Sequence, residues 1–142
     1  MSEKSNLKQN LQKSTIFISS QNLCDQSGEF AGYASVFGNR DSHGDVVQKG
    51  AFLNSIAACK TKPLLWQHNP DTPIGVINQI SEDEYGLLIC GKFLLDVEKA
   101  REAYALVKNN AISGLSIGYT PVVSSKIPGG RLLKEINLME VS

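Results

Sequence analysis

Six or seven short β-forming runs, separated by turn formers and by only two stretches of helical periodicity, limit what this chain can fold into. The runs are TIFIS from Thr15, EFAGYASVF (29–37), PLLWQH (63–68), IGVINQI (74–80), GLLICGKFLL (86–95), GLSIGYTPVVSS (114–125) and RLLKEINLMEV (131–141). IGVINQI and GLLICGKFLL flank SEDEY and read as a hairpin, and a PGG turn at 128–130 joins the last two runs. The helical stretches are GAFLNSIAACK (50–60), with Phe52, Leu53, Ile56 and Ala57 at helical spacing, and VEKAREAYALVKNN (97–110). Asp96 is the expected N-cap of the second. The segments 38–45 and NPDTP are expected loops. Strands outnumber helices and do not alternate with them, which excludes a doubly wound parallel sheet. The expected fold is mainly β (α+β): a small closed, largely antiparallel barrel with helices packed outside, since closure removes exposed strand edges.

At 142 residues the chain is long enough for one self-sufficient core. Residues 14–142 are expected to form that single domain. Residues 1–13 are expected to form a flexible arm, in which only Leu7 and Leu11 form an i,i+4 apolar pair. Lys+Arg and Asp+Glu both number 14, so no global charge draws the chain to nucleic acid or an anionic membrane. No apolar run approaches the roughly 18 residues of a membrane span, and the N-terminus lacks the apolar stretch of a signal peptide. Cys24, Cys59 and Cys90 are far apart and form no C-x-x-C pair, so they read as reduced thiols. No metal and no cofactor is expected: His43 lies between Asp41 and Asp45, but that spacing matches no zinc or EF-hand pattern.

Gly114-Leu115-Ser116-Ile117-Gly118 matches G-x-S-x-G, the nucleophile elbow of α/β-hydrolases. The context rules that family out. A helix precedes the serine, a strand-like run follows it, and no histidine lies beyond it. In an extended chain Gly114, Ser116, Gly118 and Thr120 share one face, and the glycines leave space for a substrate backbone to approach Ser116. The same pattern also fits a glycine-rich bend with an incidental serine. His68 ends PLLWQH on the face of Leu64 and Trp66, either as a structural histidine or as the base that a serine hydroxyl needs near neutral pH. In the last run Leu132, Ile136, Leu138 and Glu140 share a face and Glu135 points the other way. A carboxylate in line with apolar residues needs a partner if it is buried, so Glu140 is preferred over Glu135 as the group that orients His68, with a solvated strand end as the alternative.

GYASVFGNRDSHGDVVQKGAF, LLWQHNPDTPIG, GLLICGKFLL, GLSIGY and LMEVS, in that order from about Glu29 to Ser142, resemble the tailed-phage prohead proteases. These are capsid-maturation serine peptidases similar in fold to herpesvirus assemblin. The resemblance implies a herpesvirus-protease-like barrel, Ser116 as nucleophile, His68 as base, 48 positions earlier, and Glu140 as the third member. Gly114 and Gly118 would then border bound substrate. It also implies the major capsid protein precursor and scaffold as partners, self-cleavage, a homodimer, and a location inside the assembling prohead in the bacterial host cytoplasm. The herpesvirus relatives use a second histidine where this chain offers Glu140. Family members usually continue past the position of Ser142. That departure motivates a second reading, a non-catalytic scaffold-binding assembly module. A cysteine peptidase built on Cys59 or Cys90 has no local signature.

Overall fold

The structure is a computed structural model describing residues 16–17, 28–41, 43–109, 111–112 and 114–142. The expected arm at 1–13 and Cys24 lie outside the described residues. The strands are β1 (Ile16–Phe17), β2 (Glu29–Val36), β3 (Asp45–Val47), β4 (Lys62–Trp66), β5 (Asn69–Glu82), β6 (Gly86–Phe93), β7 (Ile117–Ile127) and β8 (Gly130–Val141). Two helices, α1 (Leu53–Ala58) and α2 (Glu98–Lys108), complete the described elements.

The strands form one mostly antiparallel sheet in the order β1-β2-β6-β5-β4-β8-β3, with β7 paired to β8. The β5–β6 hairpin turns at Asp83–Tyr85, where Asp83 Oδ1 accepts from the amides of Tyr85 and Gly86. The β7–β8 hairpin turns at Pro128 and Gly129, whose φ of 79° suits glycine.

Among the described residues the sheet is a curled half-barrel, with no pairing that joins β1 to β3 or β7. It also has two parallel joins, β3 with β8 and β4 with β8 at Leu64↔Val141. The cause is the path of the chain from β3 through α1 to β4, which runs along one edge of β8. That path satisfies the edge piece by piece: Gln48 N–H donates to Leu133 O, Ile136 N–H to Ala51 O, and Leu138 N–H to Ser55 Oγ. Strand composition reports burial and pleat but does not name the partner strand.

Element boundaries shift for local reasons. NPDTP is not a loop but the start of the 14-residue β5. The segment 50–60 yields only six helical residues, with Phe52 fully buried but Leu53 57% exposed and Ala57 exposed too, so the expected stripe is broken at both. Asp96 does not cap α2; Val97 holds that position with no side-chain hydrogen bond, and Glu98 supplies the first-turn negative charge. Ala100, Ala103, Tyr104 and Val107 bury the stripe of α2 as its periodicity predicts. Tyr104 reaches Phe93 at 5.3 Å between ring centroids, and Phe93 reaches Phe30 at 4.9 Å. In β8 the inward phase slips. Leu133, not Leu132, is fully buried, and Ile136, Leu138 and Glu140 then follow in register. Irregular pairing with β7 between Pro121 and Ser124 absorbs the slip.

Candidate functional site

The β4–β5 hairpin closes between Trp66 and Asn69 through two residues, Gln67 and His68, with φ of 50° and 62°. Positive φ at both central residues is the signature of the tight hairpin turn that usually carries Asn-Gly. Two side chains in that conformation store strain, about 1–3 kcal/mol each, which surrounding contacts must offset. The turn means that His68 does not continue the extended run of Leu64 and Trp66, although all three line one cavity. Two contacts hold His68. Its backbone N–H donates to Ser142 Oγ at 3.1 Å, and its Nδ1 meets Glu140 Oε1 at 2.5 Å. An ionised carboxylate only accepts, so Nδ1 carries the proton in this pair and Nε2 is left for another partner.

The opposite wall comes from the open end of the β7–β8 hairpin. Ser116 and Ser142 exchange both backbone hydrogen bonds at 2.9 Å, which makes them a directly opposed pair just beyond the strand ends. Gly118 opposes Glu140 in the same ladder. Opposed residues project to the same side, so the side chains of Ser116, Glu140 and Ser142 lie on one face, together with the open position at Gly118. Glu140 is 8% exposed, and Ser142 Oγ donates to its Oε2 at 2.5 Å. A Cβ at Gly118 would overlap Oε1 and lie 2.8 Å from the carboxylate carbon, so glycine there is what lets the carboxylate reach His68. Gly118→Ala is therefore expected to displace Glu140. Proton NMR should show loss of the downfield His68 Nδ1–H signal, and urea denaturation a cost of about 1–3 kcal/mol. An unchanged imidazole signal would show that the carboxylate does not need that space. A Cβ at Gly114, by contrast, meets nothing within 4 Å.

Ser116 and His68 line the same two cavities. The larger, about 530 Å³, is walled by Ala34, Asn39, Arg40, Asp41, His43, Asp45 and Tyr119. The smaller, about 380 Å³, is mostly apolar, walled by Leu64, Leu65, Trp66, Ile74, Phe93, Ala103, Val107 and Ile112, with Gly114 and Ser142 at its edge. Neither Cys59 nor Cys90 lines either one. Glu135, the alternative carboxylate, bonds to Asn54 Nδ2 and is not part of this cluster.

Asp45 departs from the loop expected over residues 38–45. His43 is exposed, and its backbone N–H bonds to Asp41 Oδ1, but Asp45 is only 2% exposed. Arg131 Nε and Nη2 grip its two oxygens at 2.9 Å, and Tyr119 OH donates to Oδ2 at 2.8 Å. The Arg131 hydrogen bonds hold the Asp45 carboxyl below its ordinary range. Burial, and then the bond to Asp45, pushes the Tyr119 hydroxyl well above its own. This cluster ties β3, β7 and β8 together under the larger cavity. The parallel register Asp45↔Arg131 creates it, and no local pattern announces that pairing. Among the described residues no group of three or more His, Cys, Asp or Glu side chains could hold a metal ion. Among them, too, no helix is long and apolar enough to cross a membrane.

An imidazole backed by a carboxylate, with a serine lining the same cavities, is a residue set from which serine hydrolases are built, here on a strand-rich fold with no hydrolase elbow. The family model described as caudovirus prohead serine protease matches residues 14–142, and the chain belongs to that family. It is 34% identical over 122 residues to the prohead protease of Enterobacteria phage HK97, covering 82% of this chain and 54% of that protein. It is 32% identical over 73 residues to the capsid polyprotein of Pseudomonas phage PAJU2, covering 47% of this chain and 11% of the polyprotein. The chain thus spans about half the length of the first relative and far less of the second. No solved structure matches it.

Proposed function

We propose that this chain is a serine endopeptidase of phage or prophage capsid maturation. Its substrates are the scaffold or the scaffolding segment of the major capsid protein precursor, and its own chain, cut inside the prohead as it assembles in the host cytoplasm. Ser116 Oγ attacks the scissile carbonyl while His68 Nε2 takes the hydroxyl proton. His68 returns that proton to the leaving amine as the peptide bond breaks. A water, deprotonated by the same nitrogen, then attacks the acyl-enzyme, and the imidazolium gives that proton to the departing Ser116 Oγ as the new acid is released. Glu140 keeps the Nδ1–H tautomer and stabilises the imidazolium formed in both steps. One observation carries this reading: Glu140 takes His68 Nδ1 at 2.5 Å, and His68 and Ser116 line the same two cavities. The same reading takes the half-barrel as part of a closed, herpesvirus-assemblin-like barrel. The homodimer rests on the family resemblance.

The test is covalent. A fluorophosphonate probe is expected to label the protein on Ser116, read by peptide mass spectrometry, and a His68→Ala variant should resist it. Label on another residue, or equal labelling of both proteins, would discard the assignment. Tight scaffold binding with no turnover at high protein concentration would favour the non-catalytic assembly module instead. The smaller cavity carries a specificity expectation. Peptides with an aliphatic or aromatic residue beside the scissile bond should be cut with kcat/KM at least about tenfold above the same peptides carrying aspartate there. A flat preference in a peptide-library profile would remove that role from the cavity.

A further inference from the structure

Ser142 touches every part of the proposed machinery. Its backbone pairs with Ser116 through two hydrogen bonds of 2.9 Å. Its hydroxyl donates to Glu140 Oε2 at 2.5 Å and accepts from the His68 backbone N–H at 3.1 Å. A hydroxyl supplies one donor and two acceptor positions, so a single atom serves both contacts. Neither contact duplicates another. Glu140 has its other oxygen on His68 Nδ1, and the His68 amide sits in a left-handed turn that needs an outside partner.

We propose that Ser142 is a positioning residue of the active site. Its hydroxyl fixes the rotation of the Glu140 carboxylate and the backbone of the His68 turn together, so that imidazole and nucleophile keep one geometry. This rests on the reading of Ser116, His68 and Glu140 given above. Without the hydroxyl, Oε2 of a nearly buried carboxylate loses its donor and the carboxylate is free to turn away from Nδ1. The Ser116–Ser142 backbone pair is untouched, so the nucleophile stays in place while the base does not.

The experiment compares Ser142→Ala with Ser142→Thr, the second keeping the hydroxyl on a residue that extended backbone accepts. With a peptide substrate, Ser142→Ala is expected to lower kcat on the order of 100-fold with KM within about twofold, as misplacement of a catalytic group does. The downfield His68 Nδ1–H resonance should broaden or vanish. Ser142→Thr should restore both to within a few-fold of the parent. An Ala variant that keeps kcat and the resonance overturns the proposal, as does a loss that threonine fails to rescue. If the parent protein shows no Ser116-dependent turnover, the proposed function fails. The resonance in the Ala and Thr variants still decides whether Ser142 holds the imidazole.

Discussion

Ser116→Ala is expected to abolish precursor cleavage, with turnover falling by on the order of 10⁴ to 10⁶. The size follows from the chemistry. With no Oγ there is no acyl-enzyme, and only substrate binding and polarisation remain. Folding should be unaffected, because the Ser116 side chain is exposed and its structural contribution is the backbone pair with Ser142, which alanine keeps. Co-expression with a capsid precursor, read on a gel, gives the activity. Circular dichroism and a thermal scan give the fold. His68→Ala should cost about as much, and the double variant little more, because the two groups act as a unit. Full cleavage by Ser116→Ala would end the hydrolytic account. Loss of cleavage together with loss of fold would instead show that Ser116 is structural.

Asp45→Asn is expected to produce the largest loss of stability, about 2–4 kcal/mol in urea denaturation at pH 7. Asp45 is buried and holds three hydrogen bonds from Arg131 and Tyr119. The Arg131 side chain is 47% exposed and water solvates it when the pair is broken, which keeps the cost below that of a fully enclosed ion pair. The sign of the pH dependence follows from the lowered carboxyl. A carboxylate whose folded pKa is depressed contributes stability that is fully present above its unfolded pKa, about 3.9, and lost as pH falls through the folded value. The gap between parent and variant should therefore be constant from neutrality down to about pH 5 and shrink below about pH 4. A gap independent of pH down to acid unfolding would show that the ion pair is not its source. Because Tyr119 and Asp45 wall the larger cavity, the variant should also bind extended peptides less well.

Much of this molecule can be read from its residues one segment at a time. The α2 stripe, the β5–β6 and β7–β8 hairpins, the strand excess and the preference for Glu140 over Glu135 all follow from periodicity, turn chemistry and the cost of burying a carboxylate. His68, Ser116 and Glu140 stand out in the sequence as candidate groups, and the family resemblance agrees with the family that matches. Other features were hidden. Gln67 and His68 carry no glycine or asparagine, so nothing local marks their left-handed turn, which exists because β4 and β5 pair around it. Asp45 reads as a turn residue until β3 lies beside the start of β8. Ser142 stands two residues from Glu140 on the same strand face, and that alternation was the one available clue.

Taken alone, the amino-acid order determined a strand-rich chain, most of its hairpin turns, and which few polar groups are candidates for a proton-shuttled attack. These are properties of neighbouring residues, set by φ/ψ preference, side-chain period and the energy of burying charge. Only the tertiary structure decided that the sheet curls into a half-barrel with two parallel joins, that β8 carries a different partner at each end of one edge, and that a hairpin turn and a hairpin mouth meet at one carboxylate. Those outcomes depend on pairing between segments as far apart as Asp45 and Arg131, 86 residues from each other in sequence. They are settled by the joint satisfaction of backbone hydrogen bonds across the whole sheet, which no single stretch of sequence encodes.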